Sequence, residues 1–428
     1  MAEQRLKDRL INQARRRERR ADDTRPTTRV APELQRFDAH PAYREVAGMR
    51  RAGERLGVSE PFFREHEGIA GARTVIDGRT CLNFASYNYL GLNGHARVQA
   101  AAREALERYG TSVSASRPVA GERPIHRELE HALAATYGVA DAVAFVSGHA
   151  TNVSTIATLM GPRDLIVHDA YIHNSAVVGA ELAGAKRLSF AHNDPADLNA
   201  KLAAYRGQFE RCLVIVEGLY SMDGDTPDLA TMIDAKQRHG AWLMVDEAHA
   251  LGTVGASGLG SREAQGIDPA DVDIWMGTLS KTLAGCGGFI AGCRELTEIL
   301  RYLAPGFLYS VGMPAPEAGA AQAALHIMHS EPQRVQHLHQ RSQQFLARAR
   351  EAGLDTGTSE GHAVIPVITG SSLTATRASH ALLARGINVQ PILAPAVPEQ
   401  SARLRFFLSS EHTPEDIDDT LEQLRHIL

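Results

Sequence analysis

The alternation between residues 125 and 301 limits this chain's fold more than any other feature. Helical patterns over 128–137, 150–159, 198–205 and 229–239 are separated by short apolar runs at 142–146, 165–167, 187–190, 212–216, 242–245 and 274–276. Apolar runs this short, bounded by turns and interleaved with helices, predict a mainly parallel sheet covered on both faces. The expected class is therefore α/β. After Gly306 the texture changes: Pro314 and Pro316 interrupt the chain. Helical patterns over 318–328 and 333–351 then lead to short strands near 363–367, 388–389 and 404–408, and to a closing helix over 414–428. Thr413-Pro414-Glu415-Asp416 supplies that helix with a cap and an acidic first turn. We expect a large domain over 75–306 and a smaller α+β domain over 307–428.

Upstream, 41–58 reads as an amphipathic helix, and 73–84 as a hairpin turning at Asp77-Gly78. A helix over 95–109 leads into a hydroxyl-rich loop, 110–118, either a surface loop or the rim of an anion or substrate site. Residues 1–74 form a separate N-terminal segment. Its first 30 residues hold ten arginines and lysines against five acids. They read as a solvated basic arm or as a docking helix for an acidic partner such as an acyl carrier protein. A net charge of −5 argues against general nucleic-acid binding. No apolar run reaches the length of an integral membrane span. Cys81, Cys212, Cys286 and Cys293 lack zinc-type spacing, which fits reduced thiols in a cytoplasmic protein. No metal site is expected.

In open α/β sheets, ligands bind at the carboxyl ends of strands, and the unusual residues of this chain fall there. One of only five lysines among 45 basic residues, Lys281, follows an apolar run and precedes a glycine cluster, in Gly277-Thr278-Leu279-Ser280-Lys281. The other four, Lys7, Lys186, Lys201 and Lys236, read as solvated surface amines. Desolvation lowers an amine's pKa and makes it a nucleophile suited to Schiff-base chemistry. Asp246 ends another strand, where it either caps and salt-bridges or pairs with a cationic ring nitrogen. Pyridoxal phosphate needs such an acid, a neighbouring lysine, and a helix N-terminus for its phosphate. Ser147-Gly148-His149 offers that terminus, and Thr278 and Ser280 offer further donors. The glycines after Lys281 lack dinucleotide-loop spacing and read as room for cofactor and substrate.

These motifs, with Tyr87-Asn88-Tyr89-Leu90-Gly91-Leu92, Glu217-Gly218-Leu219-Tyr220-Ser221-Met222-Asp223-Gly224 and Val245-Asp246-Glu247-Ala248-His249, resemble the α-oxoamine synthases, fold-type I pyridoxal-phosphate enzymes. The resemblance spans about 75–428. Ser280-Lys281-Thr282-Leu283, Gly287-Gly288-Phe289 and Ser410-Glu411-His412-Thr413 look most like the serine palmitoyltransferase branch. It implies a seven-stranded, mainly parallel sheet and a homodimer. It also implies roles. Lys281 would anchor the cofactor and shuttle the α-proton, Asp246 would hold the ring nitrogen, and His249 the ring's phenolic oxygen. His173, which alone reads as a partly buried structural histidine, would stack on the ring. Ser147, Gly148, His149, Thr278 and Ser280 would surround the phosphate. Ser221 would lie near the cofactor with Glu217 in support. Asn88 would approach an acyl thioester, and Arg405 would bind the amino-acid carboxylate.

Three departures stand out. His149 occupies a position commonly aromatic in the family, Leu393 replaces a second carboxylate-binding arginine, and Val113 and Ala115 stand where glycine is frequent. The implied reaction is a decarboxylative condensation of an amino acid, L-serine first, with an acyl thioester of coenzyme A or a carrier protein. The alternatives are a 2-amino-3-ketobutyrate ligase-like or aldolase-like reaction on a small acyl group, and a catalytically silent homologue acting as subunit or scaffold.

Overall fold

The computed structural model describes residues 30–55, 57 and 60–428. The basic arm before residue 30, with its docking-helix reading, lies outside the described residues. The chain divides into two compact units, Met1–Glu60 and Pro61–Leu428. In the first, two short 3-10 turns precede a helix at Pro41–Arg55 that buries none of its residues.

The second unit carries the strands β1 (Arg73–Ile76), β2 (Arg79–Asn83), β3 (Asp141–Phe145), β4 (Leu165–Asp169), β5 (Lys186–Phe190), β6 (Cys212–Glu217), β7 (Trp242–Asp246), β8 (Ile274–Thr278), β9 (Gly288–Gly292), β10 (Val364–Ile368), β11 (Ile387–Asn388), β12 (Gln390–Ile392) and β13 (Arg403–Phe407). Seven of them form one sheet in the order β3-β9-β8-β7-β6-β4-β5. The β8–β7, β7–β6, β6–β4 and β4–β5 pairs are parallel, and β9 runs antiparallel to both its neighbours. Side chains alternate across this sheet. Val143, Ile166, Ile215, Met244 and Ile290 enter one core, and Ala144, Val167, Val214, Val245 and Phe289 the other. Burial on both faces explains why the inner strands β4 and β6 carry continuous apolar runs, whereas edge strand β5, Lys186-Arg187-Leu188-Ser189-Phe190, is mostly exposed.

β9 was not among the expected strands, because its Gly288-Phe289-Ile290-Ala291-Gly292 sequence has glycine at both ends. The glycines have a packing cause. A Cβ on Gly288 would lie 2.7 Å from the Gly148 Cα, and one on Gly287 would lie 2.7 Å from the Phe145 carbonyl. At these two positions the glycines let backbones approach one another, rather than leaving space for cofactor.

The remaining strands form two three-stranded sheets, β1-β2-β11 and β10-β13-β12. Asp77 and Gly78, at φ 51° and 70°, make the hairpin turn between β1 and β2. β2 also pairs in parallel with β11, so the hairpin joins the C-terminal part of the chain. The helix Gln333–Glu351 matches its expected bounds, whereas the helix Ser372–Ala384 and strand β12 had no clear pattern in the sequence. Lys236 departs from its reading as a solvated amine. It is buried and pairs with Asp273 at 2.8 Å. All four cysteines are free thiols, Cys81 and Cys212 buried and Cys286 and Cys293 exposed. Among the described residues, no helix is long and apolar enough to cross a membrane.

Candidate active site

The carboxyl ends of β3, β4, β6, β7 and β8 converge on a cavity of 190 Å³. Lys281 lines it, three residues beyond β8. Burial pushes its amine down to about 8, against the opposing charges of Asp246 and Glu217 and with help from Arg405. A free-amine fraction near neutral pH follows, as a Schiff-base lysine requires. Asp246 ends β7 and is 5% exposed. Its carboxylate accepts from Asn152 Nδ2 at 2.8 Å and from the Ala248 N–H at 3.0 Å.

Glu217 ends β6, directly across from Asp246 in the parallel register. Burial and then the Asp246 charge push its carboxyl up to about 8, although the Ser221 N–H and Lys281 pull it down. It therefore holds a proton at neutral pH. Its Oε1 is buried without a partner, so a polar group in this cavity would find a hydrogen-bond donor there.

His249 follows β7 and is 7% exposed. Its Nδ1 bonds the Tyr89 hydroxyl at 2.7 Å, which fixes the ring. Burial, then Lys281 and Arg405, hold His249 well below the ordinary histidine range. His173 caps the helix Asn174–Ala183, with Nδ1 taking contacts from the Ser175 hydroxyl at 2.7 Å and the Ser175 N–H at 3.3 Å. Its ring edge is open to the cavity, so the residue is exposed rather than partly buried, and the loss of solvation on its packed side lowers its pKa.

Opposite these groups, Ser147 caps the helix Gly148–Leu159, its Oγ accepting from the Ala150 N–H. The first N–H groups of that helix have no intrahelical acceptor, and they form an anion site at a positive dipole end. A Cβ on Gly148 would sit 2.8 Å from Thr278 Oγ1, so only glycine lets this end meet β8. Thr278 Oγ1 donates to the Gly287 carbonyl at 2.9 Å and accepts from the Ser280 N–H at 3.2 Å. His149 and Ser280 also line the cavity and are exposed.

Three expected residues lie elsewhere. Asn88 does not line the cavity. Its Oδ1 accepts from the Leu92 and Asn93 N–H groups and its Nδ2 donates to the Ala70 carbonyl. With these bonds made, its amide holds its own loop and has little left to offer a thioester. Ser221 sits one layer back, its N–H on Glu217 and its carbonyl accepting from Arg405 at 3.0 Å. Arg405 is not in the cavity wall either. Its guanidinium lies over the Phe407 ring at 4.6 Å, and its Nε is buried without a partner. Among the described residues no carboxylate pairs with it, whereas neighbouring Arg403 pairs with Asp223 at 2.6 Å. A half-buried guanidinium with an unpartnered Nε and no counter-ion is suited to an anion.

Sequence reasoning missed Asn152 and Ser175, and it quoted Tyr89 in a motif without giving it a role. The available signal was the run Thr151-Asn152, Ser154-Thr155, polar yet set in a helix that had to pack on the sheet.

Residues 79–424 match the Aminotransferase class I and II family. The chain belongs to that family. It is 37% identical over 377 residues to 8-amino-7-oxononanoate synthase of Symbiobacterium thermophilum, covering 88% of this chain and 94% of that one. It is 38% identical over 354 residues to the enzyme of that name from Cellvibrio japonicus, covering 83% and 88%. Among solved structures, Sphingomonas wittichii serine palmitoyltransferase superposes with a TM-score of 0.86 at 30% identity, covering 90% of this chain and 97% of that one. A structure of SPT with PLP internal aldimine gives 0.85 at 29% identity, with the same coverage. These relatives are α-oxoamine synthases, and the chain shares their fold-type I architecture.

Proposed function

We propose that this protein is a pyridoxal-phosphate-dependent α-oxoamine synthase that condenses an amino acid, L-serine first, with an acyl thioester. The observation that carries this reading is one cavity holding Lys281, Asp246, His173 and His249 opposite a helix N-terminus. The donor set fits the cofactor: an amine of lowered pKa, a buried carboxylate, two neutral imidazoles and an anion cradle. Lys281 would hold the aldehyde carbon, Asp246 the ring nitrogen, His249 the phenolic oxygen and His173 the ring face. The first N–H groups of helix Gly148–Leu159, with Ser147, His149, Thr278 and Ser280, would hold the phosphate. When bound, the cofactor supplies an electron sink for negative charge at the amino acid's α-carbon.

The chain's own residues do the rest. Arg405 lies behind the cavity wall, near enough for its charge to act on Lys281 and His249, and, without an internal counter-ion, it would take an amino-acid carboxylate that reaches past that wall. Lys281 Nζ takes the α-proton and returns it, a task its pKa near 8 allows in both directions. Protonated Glu217 keeps a second negative charge away from Asp246. Over the reaction the α-carbon bonds to the acyl carbon, the carbon–sulfur bond breaks to release the thiol, and the α-carboxyl leaves as carbon dioxide.

Serine is the amino acid that the relatives' names supply, through serine palmitoyltransferase, whereas 8-amino-7-oxononanoate synthase is named for its product. A panel of serine, alanine and glycine against short and long acyl thioesters, scored by thiol and carbon dioxide release, identifies the amino acid and the acyl chain. No turnover of any pair by cofactor-loaded protein overturns the reading and favours the silent homologue. Coenzyme A or a carrier protein supplies the acyl group. Comparing the full chain with one lacking residues 1–29 on both donors tests the arm. The working form is a homodimer. Exposed Tyr302, Leu303 and Tyr309 offer an apolar surface for a second copy, and light scattering of the holoenzyme checks it.

A further inference from the structure

A chain of three hydrogen bonds, the first two of them buried, runs from Asp246 to His173 at the cavity, and its directions follow from which groups can only donate or only accept. The Asp246 carboxylate can only accept, so Asn152 presents its NH₂ group there, at 2.8 Å. The second hydrogen of that NH₂ points to Ser175 Oγ at 2.9 Å. Ser175 Oγ thus receives one bond, and its own proton has His173 Nδ1 in reach at 2.7 Å. The Ser175 backbone N–H points to the same nitrogen at 3.3 Å. Two donors aimed at Nδ1 require a lone pair there. Asn152 and Ser175 are each 1% exposed, so water does not compete for the bonds from Asp246 to Asn152 and from Asn152 to Ser175.

We propose that Ser175 is a positioning residue: together with Asn152 it transmits the orientation of Asp246 to His173 and locks that imidazole neutral, with its proton on Nε2. Among the described residues Nε2 has no protein partner, and His173 lines the cavity. The locked ring therefore presents a hydrogen-bond donor to whatever occupies the cavity and an acceptor to its own helix. Protonation at Nδ1 breaks the helix cap and turns two donors against a third. The same two residues tie β7 to the helix Asn174–Ala183, so the group that holds the ring nitrogen and the group on the ring face share one framework. The role given to the Nε2 proton rests on the reading of this cavity as the cofactor and substrate site. The tautomer itself does not.

The test is the tautomer of His173 in ¹⁵N-histidine-labelled holoenzyme, read from two-bond and three-bond ¹H–¹⁵N correlations and assigned by the signal lost in His173→Gln. We expect the Nε2–H form in the wild type at pH 7. A doubly protonated or Nδ1–H ring overturns the proposal without any variant. Ser175→Ala should give a mixture of tautomers and lower kcat/KM for the amino acid about 10-fold. Its cofactor absorbance and borohydride-trappable cofactor should stay at wild-type levels. Ser175→Thr, which keeps the hydroxyl, should restore the single tautomer and most of the activity. A Ser175→Ala enzyme with the wild-type tautomer refutes the role of the hydroxyl. If the tautomer responds as expected but no amino acid and thioester pair reacts, the functional reading fails and the hydrogen-bond lock stands.

Discussion

Replacing His192 with glutamine should make the protein's stability respond differently to pH. His192 follows β5, with Nδ1 2.9 Å from Asp169 Oδ1 and Nε2 2.9 Å from Asp225 Oδ2. Tyr171 stacks on the ring at 4.3 Å and Tyr220 meets its edge at 4.5 Å. Asn193 and Thr358 also bond Asp225, so the cluster ties the ends of β4, β5 and β6 to the segment before β10. Desolvation opposes a charge on the imidazole. The two carboxylates outweigh it together and raise the pKa from 6.5 to about 10. The side chain is only 15% exposed, so solvent screening is weak.

A pKa raised in the folded state contributes stability that is complete below the unfolded value near 6.5. That contribution erodes at about 1.4 kcal/mol per pH unit until the folded value near 10 is passed. At pH 7 about 4 kcal/mol remains, and at pH 9 about 1.4 kcal/mol. Glutamine keeps the shape and one donor but carries no charge. The stability gap between wild type and His192→Gln should therefore narrow by about 2.5 kcal/mol between pH 7 and pH 9. Equilibrium urea unfolding of the cofactor-loaded proteins at both pH values measures the gap, and the C2 proton of His192 reports its titration directly. A gap that is the same at both pH values, or a His192 titrating near 6.5, refutes the reasoning.

Lys281→Ala should abolish borohydride-trappable cofactor and reduce turnover by at least about 10³-fold, since both the anchor and the proton carrier are lost. In the wild type, the rate at which cofactor-free protein captures pyridoxal phosphate should climb as pH rises through about 8, where Lys281 loses its proton. A rate flat from pH 6 to 9 contradicts that assignment. Tyr89→Phe removes the hydroxyl that holds His249 Nδ1. It should weaken cofactor affinity by roughly 10-fold, about 1.4 kcal/mol, measured by fluorescence titration. Glu130→Gln strips charge from a fully buried carboxylate that binds Arg117, Arg127 and Arg301. It should cost about 3–5 kcal/mol of stability, checked by urea unfolding.

What the sequence made legible, and what it hid, divides along a physical line. The inner strands of the large sheet were legible because both of their faces are buried, which writes them as unbroken apolar runs such as Leu213-Val214-Ile215-Val216. The positions at their ends were legible for the reverse reason: an acid or an amine placed straight after such a run has to be satisfied by something. Asp246, Glu217 and Lys281 meet in one cavity accordingly. β9 was hidden because close backbone contact selects glycine, the residue that also signals a turn.

Asn152 and Ser175 were hidden because a polar residue in a helix looks alike whether it faces solvent or a buried polar network. Only tertiary packing tells the two apart. Asn88 shows the converse. A motif position marked it for substrate, yet its side chain bonds backbone groups of Ala70, Leu92 and Asn93. Patterning along the chain thus reveals which residues must be explained. The direction of each hydrogen bond reveals which residues do the explaining: Asp246 was conspicuous in the sequence, but Asn152 and Ser175 determine what that carboxylate makes of His173.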